Sequence, residues 1–288
     1  MRITKLSIQD TLPLTCSRSG TCCHGNQVML NPWELSRLAT EKKITPRAFR
    51  DLYCDFGGIQ LQFNGKVDAR NKPACSQYSE GFGCSVHVGR PLACRLFPLG
   101  RHIQNDEVHY IYQGEQFPCL NGCAEVLELP LLSVENYLKG QQTVQFEKAQ
   151  DGYLEVMQNL ADIAFELLLD TGLAESGDTK TLQLWKEMGN ESPAELTKRI
   201  GIEWMDYLMI PPISNDSNDP IHFIEEHQHL LLSKAQEKIG VLQTNEAFHE
   251  ASVLIMGVAL HLARSIGANP TILAELWCDT ARNHGAQG

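Results

Sequence analysis

The chain has no apolar run long enough to cross a bilayer. Its longest, Val253 to Leu260, falls far short of the ~20 residues a membrane helix needs. The opening Met1-Arg-Ile-Thr-Lys-Leu-Ser-Ile-Gln-Asp10 has no apolar h-region, so no secretory signal is expected there. Neither a Gly-x-Gly-x-x-Gly turn after a strand nor a Gly-x4-Gly-Lys-Ser/Thr loop occurs, which removes the common nucleotide-binding folds. Basic residues are in the minority: 24 Lys and Arg against 35 Asp and Glu leave a net charge of −11. Binding nucleic acid irrespective of sequence needs the opposite balance, to displace counterions. The chain is therefore expected to be cytoplasmic, with no membrane and no nucleic-acid partner.

The composition is that of a folded protein, 43% hydrophobic and 20% charged, and excludes disorder for most of the 288 residues. It is an average over two unlike halves. Residues 1–130 hold nine of the ten cysteines and a charge of +2, from fourteen Lys and Arg against twelve Asp and Glu. Residues 131–288 hold one cysteine, Cys278, and a charge of −13, from ten against twenty-three. In a reducing compartment, nine clustered cysteines point to metal ligands or catalytic groups rather than disulfides.

Helix signals open early. Asn31-Pro32-Trp33-Glu34 gives an N-cap, a proline at the first helical position and an early acid, predicting a helix from Pro32 to about Thr40. Thr45-Pro46 starts another. Ile59, Leu61 and Phe63 alternate with polar residues as in a short strand. Arg101 to Tyr112 reads as a hairpin around Asn105-Asp106. Between Asn71 and Leu99, Cys, Gly and Pro abound and periodicity is weak, so something besides apolar burial must fix that segment. Beyond residue 131 the pattern is helical, with helices predicted around 153–168, 179–188, 193–208, 221–239, 245–266 and 270–284. The helix holding Val253–Leu260 is apolar nearly all round and is expected at the centre of a bundle. The expected fold is mainly α. An irregular cysteine-rich metal-binding domain with short helices and a small β-hairpin occupies residues 1–130, and an acidic α-helical bundle occupies 131–288.

The candidate ligands are Cys16, Cys22, Cys23, Cys75, Cys84, Cys94, Cys119 and Cys123, with Cys54 evenly placed between ligand and core. Thiolates suit zinc, Cu(I) and iron–sulfur clusters because ligand and metal are both soft. Four complete one zinc site or one cubane cluster, so this set can serve two sites, or one site and a redox pair. Cys22 and Cys23 are expected to point apart, as neighbours on an extended chain do, and so to serve different sites, or one of them to stand beside a metal without ligating it. Arg90 and Arg95 lie beside Cys84 and Cys94, where guanidinium groups would offset the charge of an anionic cluster. His24 and His87 adjoin cysteines and could ligate metal, but a role beside the metal or on the surface is the better reading for each. His222, His227 and His229 read as a solvated helix face. Cys278 reads as a small buried hydrophobe.

Cys22-Cys23-His-Gly, then Cys75-x8-Cys84-Ser-Val-His-Val-Gly-Arg90-Pro91-Leu-Ala-Cys94-Arg95-Leu-Phe97-Pro98, resembles the YkgJ-like cysteine-cluster family. That family is described as zinc- or iron-chelating and includes flagellin lysine-N-methylase. The resemblance covers about the first 125 residues and departs from the family pattern at Ser19, where a further cysteine is usual, and at His87, where tyrosine is frequent. It implies a metal-binding protein, with methylation of a protein lysine as one possible activity. An all-thiolate set larger than one structural zinc needs, without paired Cys-x2-Cys knuckles, favours iron. One or two iron–sulfur clusters of the 4Fe–4S type, in redox or protein-modification chemistry, form the leading expectation. A structural zinc or metal-handling protein whose helical half binds a protein partner is the alternative.

Overall fold

The computed structural model describes residues 4–12, 20–104, 107–112, 130–169, 175–214 and 219–287. Helices dominate, and the strands are short and confined to the first half. In chain order the helices are α1 (Pro32–Lys42), α2 (Pro46–Tyr53), α3 (Leu92–Leu96), α4 (Val134–Gln141), α5 (Val144–Leu169), α6 (Glu175–Asn190), α7 (Pro193–Ile200), α8 (Ile202–Met209), α9 (Pro220–Ile239), α10 (Asn245–Ser265) and α11 (Pro270–Asn283). The chain packs as two compact units. A thiol-rich unit comprises Met1–Val28, Glu41–Lys43 and Leu61–Glu147, and a helical unit comprises Met29–Thr40, Ile44–Gln60 and Lys148–Gly288.

Helix starts follow the local chemistry. The Asn31 side chain accepts from the Glu34 N–H at 2.9 Å, and the Glu34 carboxylate accepts from the Asn31 N–H at 3.1 Å. Two orphan donors of α1 are thus satisfied reciprocally. Thr45 accepts from the Ala48 N–H to cap α2, and Ser192 with Glu195 forms a capping box on α7. The helix predicted over 193–208 is two helices. Gly201 separates α7 from α8 at φ 83, ψ 159, a conformation essentially reserved for glycine. The helix α4, capped by Ser133, carried no periodic signal long enough to be predicted.

In the helical unit α10 is central, packed against α6, α7, α8, α9 and α11. The reason is the expected one. Ile255 to Ala263 are all buried, so no face of that stretch suits water. The helix from Asn245 to Ser265 is itself long and apolar enough to span a bilayer, which the count of its longest uninterrupted run did not show, and 61% of its most apolar window is buried inside the protein. That burial is the pattern of a core helix.

One histidine was misread. His227 is fully buried, not solvated, because it falls on the stripe of Phe223 and Leu231, four residues to either side and equally buried. Its Nε2 lies 2.9 Å from the Tyr207 carbonyl, and its Nδ1 lies 2.9 Å from the Tyr153 hydroxyl. A carbonyl only accepts, so Nε2 carries the proton and Tyr153 donates to Nδ1. His261, also buried, donates from Nε2 to the Phe56 carbonyl at 3.0 Å.

The thiol-rich unit holds a three-stranded antiparallel sheet in the order Thr4–Leu6, Glu107–Tyr112, Leu99–Gln104. Its last two strands are the predicted hairpin, whose Asn105-Asp106 turn lies outside the described residues. Leu99, Val134 and Tyr137 form a small buried core, with Leu6, Leu12, Tyr110, Leu132 and Leu138 packed around it.

Burial pushes both His227 and His261 from 6.5 down to about 4. Unfolding restores the ordinary value, so below pH 6.5 the unfolded chain takes up protons that the folded chain refuses until about pH 4. Stability should be full above pH 6.5 and fall as acid is added, by up to about 1.4 kcal/mol per pH unit for each ring. Urea unfolding followed by tryptophan fluorescence between pH 7 and 4.5 measures this. His227→Gln should remove one ring's share of the slope, and an unchanged slope would show that His227 is not the buried neutral group.

Candidate metal centre

Five of the candidate thiols, Cys22, Cys23, Cys75, Cys84 and Cys94, are described within the thiol-rich unit. Cys16, Cys119 and Cys123 lie outside the described residues. Cys54 belongs to the helical unit, buried at the end of α2, where its N–H donates to the Arg50 carbonyl. Among the described residues no disulfide joins these cysteines.

Backbone pairing gathers the thiols. Cys22 and Cys23 sit in a 3-10 turn, Thr21–Cys23, rather than on the extended chain expected. Successive side chains still diverge there, at three residues per turn. The turn is entered through Gly20 at φ 77, where a Cβ would lie 2.5 Å from the Tyr78 ring. The Cys75 N–H donates to the Cys23 carbonyl at 2.7 Å, beside a bridge between His24 and Ala74. A tight hairpin then pairs Tyr78 with Cys84 and Ser79 with Gly83, and the Ser85 N–H donates to the Gln77 carbonyl at 2.8 Å. Cys94 follows on the short α3.

Cys75 and Cys84 feel each other electrostatically. Burial first, and then the neighbouring Cys84 thiol, push the Cys75 thiol up to about 11, although the Gln77 N–H near its sulfur opposes this. Two thiolates held together repel, and a bound soft cation removes that repulsion. The donor chemistry therefore suits zinc or iron. Among the described residues, however, no group of three or more His, Cys, Asp or Glu side chains converges tightly enough to hold a metal ion.

Residues paired across a bridge share one face of the ladder, and their immediate neighbours take the other. His24 and Ala74 line a cleft of about 520 Å³ together with Lys66, Arg70 and Tyr78. His24 Nδ1 donates to the Gly20 carbonyl at 2.8 Å and its ring packs edge-on to Tyr78. His87 Nδ1 lies 3.2 Å from Arg90 Nη1, which also donates to the His87 carbonyl at 2.6 Å.

Arg95 is buried and directs each of its three nitrogens to a backbone carbonyl, Nε to Arg90, Nη1 to Gln141 and Nη2 to Val88. Arg90 Nη2 donates to the Gln141 side chain. The Tyr137 hydroxyl donates to the Arg95 and Phe97 carbonyls. Tyr137 and Gln141 were not singled out in the sequence, because nothing local ties α4 to a loop some fifty residues earlier.

Replacing Cys75 or Cys84 by serine in the full chain is expected to lower the bound metal by at least the content of one site, a hydroxyl being a poor ligand for soft ions. Cys278→Ser, at a thiol buried in the helical unit, should leave metal content unchanged. Elemental analysis of the three variants checks this, and equal metal in all would remove Cys75 and Cys84 from the ligand set.

Neither the curated proteins nor the solved structures contain a match to the chain. A family model does match: CxxCxxCC, described as "Putative zinc- or iron-chelating domain", over residues 15–114. The match spans all five described thiols of the unit, together with Cys16 and Cys54, and agrees with the resemblance read from the Cys84–Pro98 run. Residues 15–114 are thus similar to this cysteine-cluster family of zinc- or iron-chelating domains.

Proposed function

We propose that the thiol-rich unit holds one or two iron–sulfur clusters of the 4Fe–4S type, ligated from Cys16, Cys22, Cys23, Cys75, Cys84, Cys94, Cys119 and Cys123. The observation that carries this reading is the donor set. Eight thiols lie in that part of the chain, and main-chain hydrogen bonds tie the segment of Cys23 to that of Cys75, whose thiol feels the Cys84 thiol electrostatically. One structural zinc needs four donors. Thiolate-bound iron–sulfur clusters use the same four per cluster and supply one-electron redox chemistry. Cys54, buried in the helical unit, stands outside this set.

The activity proposed is redox or modification of a protein substrate, lysine N-methylation being the reaction that the sequence resemblance suggests. The acidic helical unit is the natural place for a protein partner, and a reducing compartment such as the cytoplasm suits so many thiols. Zinc is the second reading, because the family description names it beside iron. In that reading a closed four-thiolate site scaffolds the unit and does no chemistry.

Protein purified without oxygen should be brown, absorb broadly near ~400 nm and contain iron and sulfide in stoichiometric amounts. Metal analysis with electron paramagnetic resonance makes the measurement. Colourless protein carrying only zinc would end the iron–sulfur reading.

A further inference from the structure

The loop between Cys84 and Cys94 is made of turns, with no strand or helix before Leu92. Its carbonyls must find partners outside regular structure, and its course sets the spacing of two thiols. Arg95 supplies the partners. Its guanidinium takes the carbonyls of Val88 and Arg90 from the loop and the carbonyl of Gln141 from the end of α4. The carbonyls of a last helical turn lack intrahelical partners and carry partial negative charge, so a cation suits that position. The guanidinium carbon lies 3.9 Å from the Phe146 ring centroid, within cation–π range. Tyr137 closes the arrangement from α4 by donating to the Arg95 carbonyl at 3.1 Å.

We infer that Arg95 is a positioning residue of the metal centre, fixing the Cys84–Cys94 loop through its backbone and tying it to α4. The chelating unit therefore extends beyond residues 15–114, and Tyr137, Gln141 and Phe146 are parts of it. A charge-offset role, the reading first suggested by sequence proximity, needs only a cation near the thiols. Positioning needs the planar fork, whose three separate nitrogens reach three carbonyls that the single nitrogen of a lysine cannot meet in the same places. The inference rests on the chelating role of Cys84 and Cys94 and is independent of which metal they hold.

The test uses the full-length metal-free protein titrated with cobalt(II), whose absorption reports thiolate ligation and coordination geometry. Affinity is measured by competition with a chelator. Arg95→Lys keeps the charge and loses the fork, and it should weaken cobalt binding about 10–100-fold, as loss of residues that orient ligands typically does, and should shift the visible bands. Tyr137→Phe, which removes a single hydroxyl, should weaken binding in the same direction by a smaller factor. A folded Arg95→Lys protein with wild-type affinity and spectrum would overturn the inference in favour of charge alone. Should Arg95→Lys fail to fold, Tyr137→Phe decides, and a wild-type spectrum and affinity there overturn the inference equally. A wild-type chain that takes up no cobalt would instead overturn the chelating role itself, and the inference with it.

Discussion

The hydrogen bond from the Cys75 N–H to the Cys23 carbonyl, at 2.7 Å, is the contact on which the thiol arrangement depends. Thiols offer little apolar area for burial, and ionised ones repel, so side-chain packing alone would not gather them. Main-chain pairing does so without asking anything of the side chains. On one side of that bond the Gly25 N–H reaches the Pro73 carbonyl, and on the other the Gln77–Ser85 hairpin folds back to deliver Cys84.

The helical unit is held by different physics. Its centre is an apolar helix, and several of the polar groups it buries are paired: Tyr153 with His227, His227 with the Tyr207 carbonyl, Ser252 with the Ala164 carbonyl. A buried imidazole is tolerated in such surroundings only when neutral and hydrogen-bonded. Arg50 and Arg47, both bonded to Asp206, fasten α2 to α8 in the same unit. This interior stores no obvious reactivity and reads as a scaffold for whatever surface the unit presents.

How much of this could be read from residues alone varied with the range of the interaction. Asn31 and Glu34 announced α1 because a capping pair acts over three positions. The Cys84–Pro98 run identified the chelating segment because ligand spacing is written directly in the chain. The break at Gly201 was open to view, since glycine between two short apolar sets is a stop signal, but the apolar spacing on either side masked it. His227 was misplaced because its acidic neighbours were weighed above Phe223 and Leu231 at four-residue spacing. The contacts of Arg95 with Gln141 and Phe146 could not be read at all. They join segments some fifty positions apart by hydrogen bonds to main-chain carbonyls, and a carbonyl has no sequence signature.

Gly20 bears on this last point from the opposite direction. It offers no donor, no charge and no apolar surface, yet its φ of 77 excludes most side chains, and a β-carbon there would strike the Tyr78 ring at 2.5 Å. Tyr78 is the ladder partner of Cys84, so a displaced ring would be felt at a thiol sixty-four positions away. Replaceability and chemical character run in opposite directions around this centre. A residue with nothing to contribute to a metal leaves less room for change than the exposed charges of Lys66 and Glu80 on the rim of the cleft, which could be exchanged for many others while the thiols kept their places.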